Sequence, residues 1–255
     1  MEVFKLSGGQ TRNIKLTLAY DGTHYHGFQR QKNALTIQQV VEERLAKLFG
    51  HELKINGSGR TDTGVHAYGQ AVNFYTGGTV PTCRIPIAAK GLLPPDIVII
   101  DAEDVPREFH ARFWAKSKIY RYRLLNQPLL NPFERNYAWH FPEKLDWQLM
   151  QEAAQLIAGT HDFSAFRATG SVPVNPVRTI LAVECRRRRE TIIEFEFWGT
   201  GFLYHMVRNL VGTLVEVGRT RMTVDEFSAI LAGRDRKAAG ITAPPQGLYL
   251  VEVKY

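Results

Sequence analysis

The spacing of apolar and polar positions switches along the chain between the two-residue period of strands and the 3.6-residue period of helices. Apolar and polar side chains alternate in "RNIKLTLAY" (12–20), which predicts a half-buried strand. Helical spacing follows in "TIQQVVEERLAKLFG" (36–50), which opens on a capping-box pair, Thr36 and Gln39, and ends at Gly50. The chain therefore begins with a strand and an amphipathic helix.

The same patterns predict the remaining elements. Further strands are predicted over 52–56, 70–76, 96–105, 118–125, 178–186, 191–199 and 247–255. Further helices are predicted over 83–93, over 146–159 with Asp146 as N-cap, over 202–218, and after a capping box formed by Thr223 and Glu226. Each half of the chain thus has the order β-α-β-β-α-β, and the second half has one added helix.

This element order is the split βαβ, ferredoxin-like unit. Two such units predict an α+β fold, with one large, mostly antiparallel sheet and helices on one face. The boundary is expected between residues 105 and 115, which gives an N-terminal half, 1–108, and a C-terminal half, 109–255. RNA-binding domains of the RRM type share this order, but the chain has no RNP1 pattern, and a fold alone does not assign a function.

Composition narrows the class of protein. The 255 residues are 44% hydrophobic, enough for a sizeable core, but no apolar run is as long as a membrane span. The N-terminus has no apolar signal-peptide region, so we expect a cytoplasmic protein. The two cysteines, Cys83 and Cys185, lie far apart and the eight histidines show no ligand spacing, so no disulfide scaffold or metal is expected. The net charge of +7 favours a polyanionic partner.

One glycine-rich stretch carries candidate chemistry, "GSGRTDTGVHAYGQ" (57–70). Asp62 within it is either a turn or N-cap residue or a working carboxylate. Arg60 would share a face with Asp62 along an extended segment and keep it ionised, and a charged carboxylate in a pocket can attack carbon. The letters "DTG" also match aspartic proteases, whose mechanism needs two carboxylates, so that alternative requires a homodimer.

Three basic or aromatic features have two interpretations each. Tyr120 and Tyr122 share one face of a predicted strand, either as core aromatics or as a surface for stacking a base. Arg208, beside an apolar helix stripe, is either a surface arginine or part of the Asp62 site. The run Arg186–Arg189 is predicted to form a hairpin turn, either merely solvated or in contact with phosphate.

The motif "GRTDTGVHA" resembles that of the TruA family of tRNA pseudouridine synthases. Five further blocks resemble the family in the same order: "YDGTHYHGFQRQ", "FHARFWAKSKIYRYRL", "GTHDFSAFR", "GFLYHMVRNLVG" and "APPQGLYLVEVKY". The resemblance covers the chain from about residue 12 to its last residue. It implies isomerisation of uridine to pseudouridine at tRNA nucleotides 38, 39 and 40, without a cofactor or metal, by a homodimer.

The resemblance also implies roles for individual residues. Asp62 is the nucleophile, and Arg60 pairs with it and helps to displace the target base. Tyr120 contacts the substrate, Arg208 also pairs with the aspartate, and Gly247 and Leu248 lie at the edge of the base pocket. A non-catalytic RNA-binding protein on the same fold is the main alternative, and it would not need Asp62 beside Arg60.

Overall fold

The structure, a computed structural model, describes residues 11–168 and 175–255. Residues 1–10, where no signal peptide is expected, lie outside this range. The strands are β1 Arg12–Tyr20, β2 Asn56–Gly57, β3 His66–Thr76, β4 Ile97–Val105, β5 Ser117–Asn126, β6 Trp139–Phe141, β7 Gly159–Asp162, β8 Val177–Arg189, β9 Ile192–Gly199 and β10 Leu248–Lys254. The α-helices are α1 Ile37–Phe49, α2 Ile85–Lys90, α3 Trp147–Gln155, α4 Met206–Gly218 and α5 Val224–Gly233. The strands form a large, mostly antiparallel sheet, so the predicted α+β class is confirmed.

The first compact unit, unit 1, comprises the described residues up to Ala115 together with Glu252–Tyr255. Its strands follow the order β4-β1-β3, with β2 paired to β3, and all three pairings are antiparallel. The first strand thus lies between the third and the fourth, as in a split βαβ unit. The ferredoxin-like order predicted for this part of the chain is therefore present.

The second compact unit, unit 2, spans Lys116–Val251. Its strand order is β10-β5-β9-β8, so β5, the first strand of the unit, lies between β10, the last strand, and β9. Helix α5 is the predicted added helix. Two short strands were not predicted: β7 extends the sheet beyond β8, and β6 runs parallel to β5. With three and four residues, they are too short for an alternating pattern to show.

Most predicted helix ends are confirmed. Asp146 caps α3 by accepting hydrogen bonds from the backbone N–H groups of Gln148 and Leu149, and Thr223 with Glu226 forms a complete capping box on α5. The Thr36 side chain caps α1, which ends at Gly50 with a left-handed φ of 72°. The Gln39 amide donates to Glu43 (3.0 Å), so the reciprocal half of the predicted capping box is absent.

Several element boundaries differ from the prediction. The helix predicted over 83–93 is only Ile85–Lys90, the helix predicted over 146–159 ends at Gln155, and the strand predicted over 70–76 begins at His66. Two further differences have a local cause. The strand predicted over 52–56 shrinks to β2, because side chains of α1 take the hydrogen bonds of Ile55: its N–H donates to Glu42 and its carbonyl accepts from Gln38. Helix α4 begins at Met206 rather than 202, because His205 has a left-handed φ of 59° that interrupts the helix.

The arginine run 186–189 was predicted to be a hairpin turn, and this was wrong. The four residues form the end of β8, and the turn falls on Glu190 and Thr191. Carboxylates on the sheet support the extended strand, since Arg186 pairs with Glu184 (3.0 Å) and Arg188 pairs with Glu194 (3.1 Å). One of these carboxylates lies on β8 itself and the other on β9, so ion pairs within and between strands accompany the basic run as it continues the strand.

Candidate active site

Asp62 lies in a tight turn of unit 1, just before β3. The Val65 N–H donates to the Asp62 carbonyl (3.1 Å), and Gly64, the third residue of the turn, has a left-handed φ of 76°. Glycine adopts this conformation without strain. Asp62 is thus the first residue of a β-turn and not the N-cap of a helix, and the turn fixes the backbone that carries its carboxylate.

Burial alternates across the residues that precede this turn. Thr61 is buried, whereas Arg60 is exposed and Asp62 is half-buried. The Thr61 hydroxyl hydrogen-bonds to the phenol of Tyr20 (2.8 Å), and its carbonyl accepts from the Phe28 N–H (3.1 Å). Both the side chain and the backbone of Thr61 are therefore tied to the interior. Its two charged neighbours are left accessible to a substrate.

The Gln70 side chain fixes the backbone of the two residues before Arg60. Its side chain is fully buried, accepts a hydrogen bond from the Ser58 hydroxyl (2.6 Å) and donates one to the Gly59 carbonyl (2.8 Å). An amide with both a donor and an acceptor satisfied inside the protein fixes the backbone that it touches. Gln70 is thus a positioning residue for the stretch that carries Arg60 and Asp62.

A close approach of two backbones completes this part of the site. A Cβ on Gly22 would lie 2.0 Å from the Val65 carbonyl oxygen, so only glycine fits there. The Gly22 N–H also donates to Nδ1 of His66 (3.1 Å), a side chain that is almost fully buried. The segment that begins at Gly22 is therefore packed directly on the turn that carries Asp62.

In unit 2, the two tyrosines of β5 are both buried, Tyr120 to 8% exposure and Tyr122 to 0%. Tyr120 packs edge-on against the ring of Phe202, with ring centroids 5.0 Å apart. The Tyr122 hydroxyl donates to the Pro244 carbonyl (2.7 Å), and burial raises the pKa of this phenol well above its ordinary value. Tyr122 is a core residue held by a hydrogen bond, and Tyr120 retains a small exposed edge.

Arg208, on the first turns of α4, is held by the segment before β10. Its Nε donates to the Ala243 carbonyl (2.7 Å), while the Ala243 N–H donates back to the Arg208 carbonyl (3.1 Å). A Cβ on Gly212 would lie 1.8 Å from the Ile241 carbonyl oxygen, so the absence of a side chain lets this segment approach the helix. The guanidinium orientation is thus fixed by backbone contacts.

Gly247 and Leu248, the last two candidate residues, are both buried at the start of β10. A Cβ on Gly247 would lie 2.7 Å from two ring atoms of Tyr122, so glycine is required for the strand to pack on this ring. The structure therefore brings Tyr122, Arg208 and Gly247 into one cluster of unit 2. Among the described residues, no group of three or more His, Cys, Asp or Glu side chains is placed to hold a metal ion.

Sequence reasoning missed several residues that shape the site: Tyr20, His66, Gln70 and Gly22. Each acts through a partner that is distant in the sequence, as with Tyr20 and Thr61, which are separated by 41 positions. The one clue available was the number of glycines in 57–70, which indicates close backbone packing without naming the partner.

The fold and the motif agree with a comparison against known families. A family model described as tRNA pseudouridine synthase matches residues 17–114 and 153–255. These ranges include most of both compact units and all of the candidate site residues except Tyr120. The chain belongs to the tRNA pseudouridine synthase family, whose members are isomerases, and this replaces the aspartic-protease interpretation of "DTG".

Individual relatives are similar over almost their whole length. A protein of Thermoanaerobacter sp. (strain X514) named tRNA pseudouridine synthase A is 47% identical over 246 residues, which cover 96% of this chain and 100% of the relative. Proteins with the same name from Acetivibrio thermocellus and Bacillus pumilus are 48% and 46% identical over 244 residues. They cover 96% and 95% of this chain, and 100% and 98% of their own lengths. Within the described residues, no helix is both long and apolar enough to cross a membrane.

Proposed function

We propose that the protein converts uridine to pseudouridine at positions 38, 39 and 40 in the anticodon stem-loop of tRNA. Family membership and the names of the relatives support tRNA as the substrate. The observation that carries the proposal is the Asp62 turn, in which a half-buried carboxylate follows an exposed arginine on a backbone fixed from three sides. A merely structural turn would not need the adjacent arginine.

The reaction rearranges one nucleotide without gain or loss of a group. The C1′–N1 bond breaks, the base turns, C1′ bonds to C5, and the proton from C5 is replaced by one on N1. Asp62 is the proposed nucleophile, and three routes satisfy this balance: attack at C1′, attack at C6, or proton removal to give a glycal. The target uridine must first leave the helical stack, at a cost of a few kcal/mol.

The other candidate residues have proposed roles that follow from the family resemblance. Arg60 and Arg208 pair with the Asp62 carboxylate and keep it ionised, and Arg60 also helps to displace the base. Tyr120 stacks on the target base, and its hydroxyl assists the movement of the C5 proton. Gly247 and Leu248 form the edge of the base pocket. The locked guanidinium of Arg208 and the residual exposure of Tyr120 support these roles.

The proposed working form is a cytoplasmic homodimer, in which one tRNA touches both subunits. The family resemblance supports the dimer, and the net charge of +7 supports an extended contact with RNA. Sedimentation equilibrium gives the test, since a dimer has twice the chain mass of 29.0 kDa. A species of single-chain mass at micromolar concentration contradicts the dimer.

The decisive experiment is single-turnover release of tritium from an unmodified tRNA labelled at C5 of uridine. Wild type should release tritium, and Asp62→Ala should release none while still binding the tRNA. Thr63→Ala is the matched control, because Thr63 is an exposed neighbour in the same turn, and it should retain most of the rate. Substrates with uridine at only one of positions 38, 39 and 40 test each position separately.

Three outcomes contradict parts of the proposal. A wild-type protein that binds tRNA without releasing tritium would be a non-catalytic RNA-binding protein. An active Asp62→Ala variant would remove Asp62 from the role of nucleophile. A full single-turnover rate in Tyr120→Phe would exclude a part for the Tyr120 hydroxyl in moving the C5 proton.

A further inference from the structure

A pocket of about 360 Å³ opens on the charged face of the sheet in unit 2. We call it the arginine pocket, and its lining consists of Arg121, Arg123, Arg188, Arg189, Ile192 and Glu194. Three neighbouring strands supply these residues: β5, β9 and β8. None of these side chains belongs to the candidate active site.

The alternation of the strands explains why the arginines gather here. On β5, Arg121 and Arg123 alternate with the buried Tyr120 and Tyr122, so they lie on the opposite face of the sheet. On β9, Glu194 and Glu196 alternate in the same way with buried phenylalanines. The register sets Arg121 opposite Glu196 and Arg123 opposite Glu194. Charged side chains of three strands are thus brought into cross-strand contact.

The carboxylates hold the guanidinium groups in place but do not neutralise the pocket. Glu194 is shared, with one oxygen 3.4 Å from Nε of Arg123 and the other 3.1 Å from Nε of Arg188. Arg121 pairs with Glu196 (2.9 Å), which does not line the pocket. Arg123 also pairs with Glu134 (3.4 Å). The four guanidinium groups and the three carboxylates that contact them leave one unit of positive charge, and Arg189 is the arginine of the lining that has no carboxylate partner among the described residues.

Two arginines have donors available at the mouth of the pocket. Arg188 reaches Glu194 through Nε, and its Nη groups donate no hydrogen bond to residues 11–168 or 175–255. Arg189 is exposed and makes no side-chain ion pair or hydrogen bond within the same described ranges. Guanidinium groups present a planar fork of N–H donors that matches a phosphate group.

We infer that the arginine pocket binds a backbone phosphate of the tRNA, outside the site of the chemistry. The inference rests on the proposed function, which supplies the polyanion. Arg188 and Arg189 contact the phosphate directly, and the ion-paired Arg121 and Arg123 complete the lining of the pocket. The contact contributes affinity and orientation without sequence preference, because backbone phosphates are common to all tRNAs.

The test measures the affinity of an unmodified tRNA transcript over a series of salt concentrations. Arg189→Gln should bind about five- to tenfold more weakly near 0.1 M salt, and its slope of log K against log salt should be smaller by about 0.7–0.9, the loss of one phosphate contact. The substitution breaks no ion pair, so the fold is expected to remain intact. Arg188→Gln should show a similar change in slope.

Arg187→Gln is the matched control for charge. Arg187 belongs to the same basic run, but its Nε donates to the Glu190 carbonyl (2.7 Å), and it does not line the pocket. This variant loses the same unit of charge only one or two residues away, so it should keep the wild-type slope. If Arg189→Gln and Arg187→Gln have equal slopes and affinities, the inference is overturned and only net charge matters.

Tritium release and tRNA affinity together distinguish this inference from the proposed function. If Arg189→Gln binds tRNA more weakly than Arg187→Gln but wild type releases no tritium, the phosphate site is supported and the isomerase activity is not. If wild type releases tritium but the two variants bind tRNA equally well, the isomerase activity is supported and the phosphate site is not.

Discussion

The two compact units have the same strand order but very different interiors. Of the thirteen buried polar or charged residues in the described chain, ten lie in unit 1 and three in unit 2. The largest fully buried side chains show the reverse. Two aromatic rings of this group, Phe28 and Phe74, belong to unit 1, whereas unit 2 contributes Tyr122, Phe163, Phe166, Phe195, Phe197 and Phe227.

The difference follows from what each interior has to hold. In unit 1, buried amides fix irregular backbone: Asn13 donates to the carbonyl of Phe109 (2.9 Å), and Asn73 accepts from the N–H of Ala111 (2.9 Å). No buried side-chain nitrogen or oxygen among the described residues lacks a hydrogen-bond partner. Buried polar groups are costly unless paired, so they occur where loops must be placed. In unit 2, aromatic packing holds regular elements together.

The largest expected effect comes from breaking the aromatic interior of unit 2. Phe166→Ala removes a ring packed between Phe163 and Phe227, with centroids 6.4 Å and 5.9 Å away. We expect a loss of about 3–5 kcal/mol in the free energy of unfolding, because a large cavity forms. Guanidinium denaturation measures it. Phe133→Ala, at a position that is 85% exposed, should change stability by less than about 0.5 kcal/mol. Equal losses in both variants would show that the aromatic cluster contributes no special stability.

A smaller effect is expected from the polar interior of unit 1. Asn73→Leu keeps a similar volume but leaves the N–H of Ala111 and the amide of Asn13 without their buried partner. The expected loss is about 1–3 kcal/mol, the cost of an unsatisfied buried group. Denaturation against Asn33→Leu, an exposed asparagine of the same unit, isolates the effect. If Asn73→Leu proves as stable as this control, the amide network does not hold unit 1.

The smallest expected effect uses one cysteine in each unit. Burial raises the pKa of Cys185 in unit 2 to about 12, whereas Cys83 in unit 1 is exposed. The unfolded chain releases this proton near pH 8.5, so the Cys185 contribution to stability is complete below that pH and is lost as the pH rises toward 12. Between pH 8 and pH 9.5, the free energy of unfolding should therefore fall by about 1 kcal/mol more in wild type than in Cys185→Ala.

Denaturation curves at the two pH values measure this difference, and groups that titrate in both proteins cancel from it. Cys83→Ala should lose stability with pH as wild type does. If Cys185→Ala has the same pH dependence of stability as wild type, the Cys185 thiol is exposed to water in the folded protein.

Local patterns predicted the elements whose causes are local. Alternation gave β1 within its observed bounds, and side-chain capping gave the starts of α3 and α5. The pattern at 52–56 alternates equally well, yet Gln38 and Glu42 take the hydrogen bonds of Ile55. The identity of those competing partners depends on how α1 packs, which a strand pattern does not contain.

In the candidate site too, features with local causes were predicted and features that depend on distant residues were not. The glycines around Asp62 indicated a tight turn, and Gly64 provides one. The residues that hold the turn, Tyr20 and Gln70, were not found, because a buried hydrogen bond between distant positions leaves no periodic trace. The basic run 186–189 was assigned to a turn, because its pairing with Glu194 depends on the register between β8 and β9, which the run itself does not reveal.

Unit 1 is not contiguous in the chain, and this has a consequence for its synthesis on the ribosome. Glu252–Tyr255 belongs to unit 1 but follows all of unit 2. The hydroxyl of Tyr255 donates to the Ala111 carbonyl (2.8 Å), and its ring packs on Phe109 with centroids 4.9 Å apart. Its phenol also contacts the Ser58 side chain, two residues before Arg60. A nascent chain can therefore build most of unit 1 early, but the stretch leading to Asp62 gains its last support only after unit 2 has been translated.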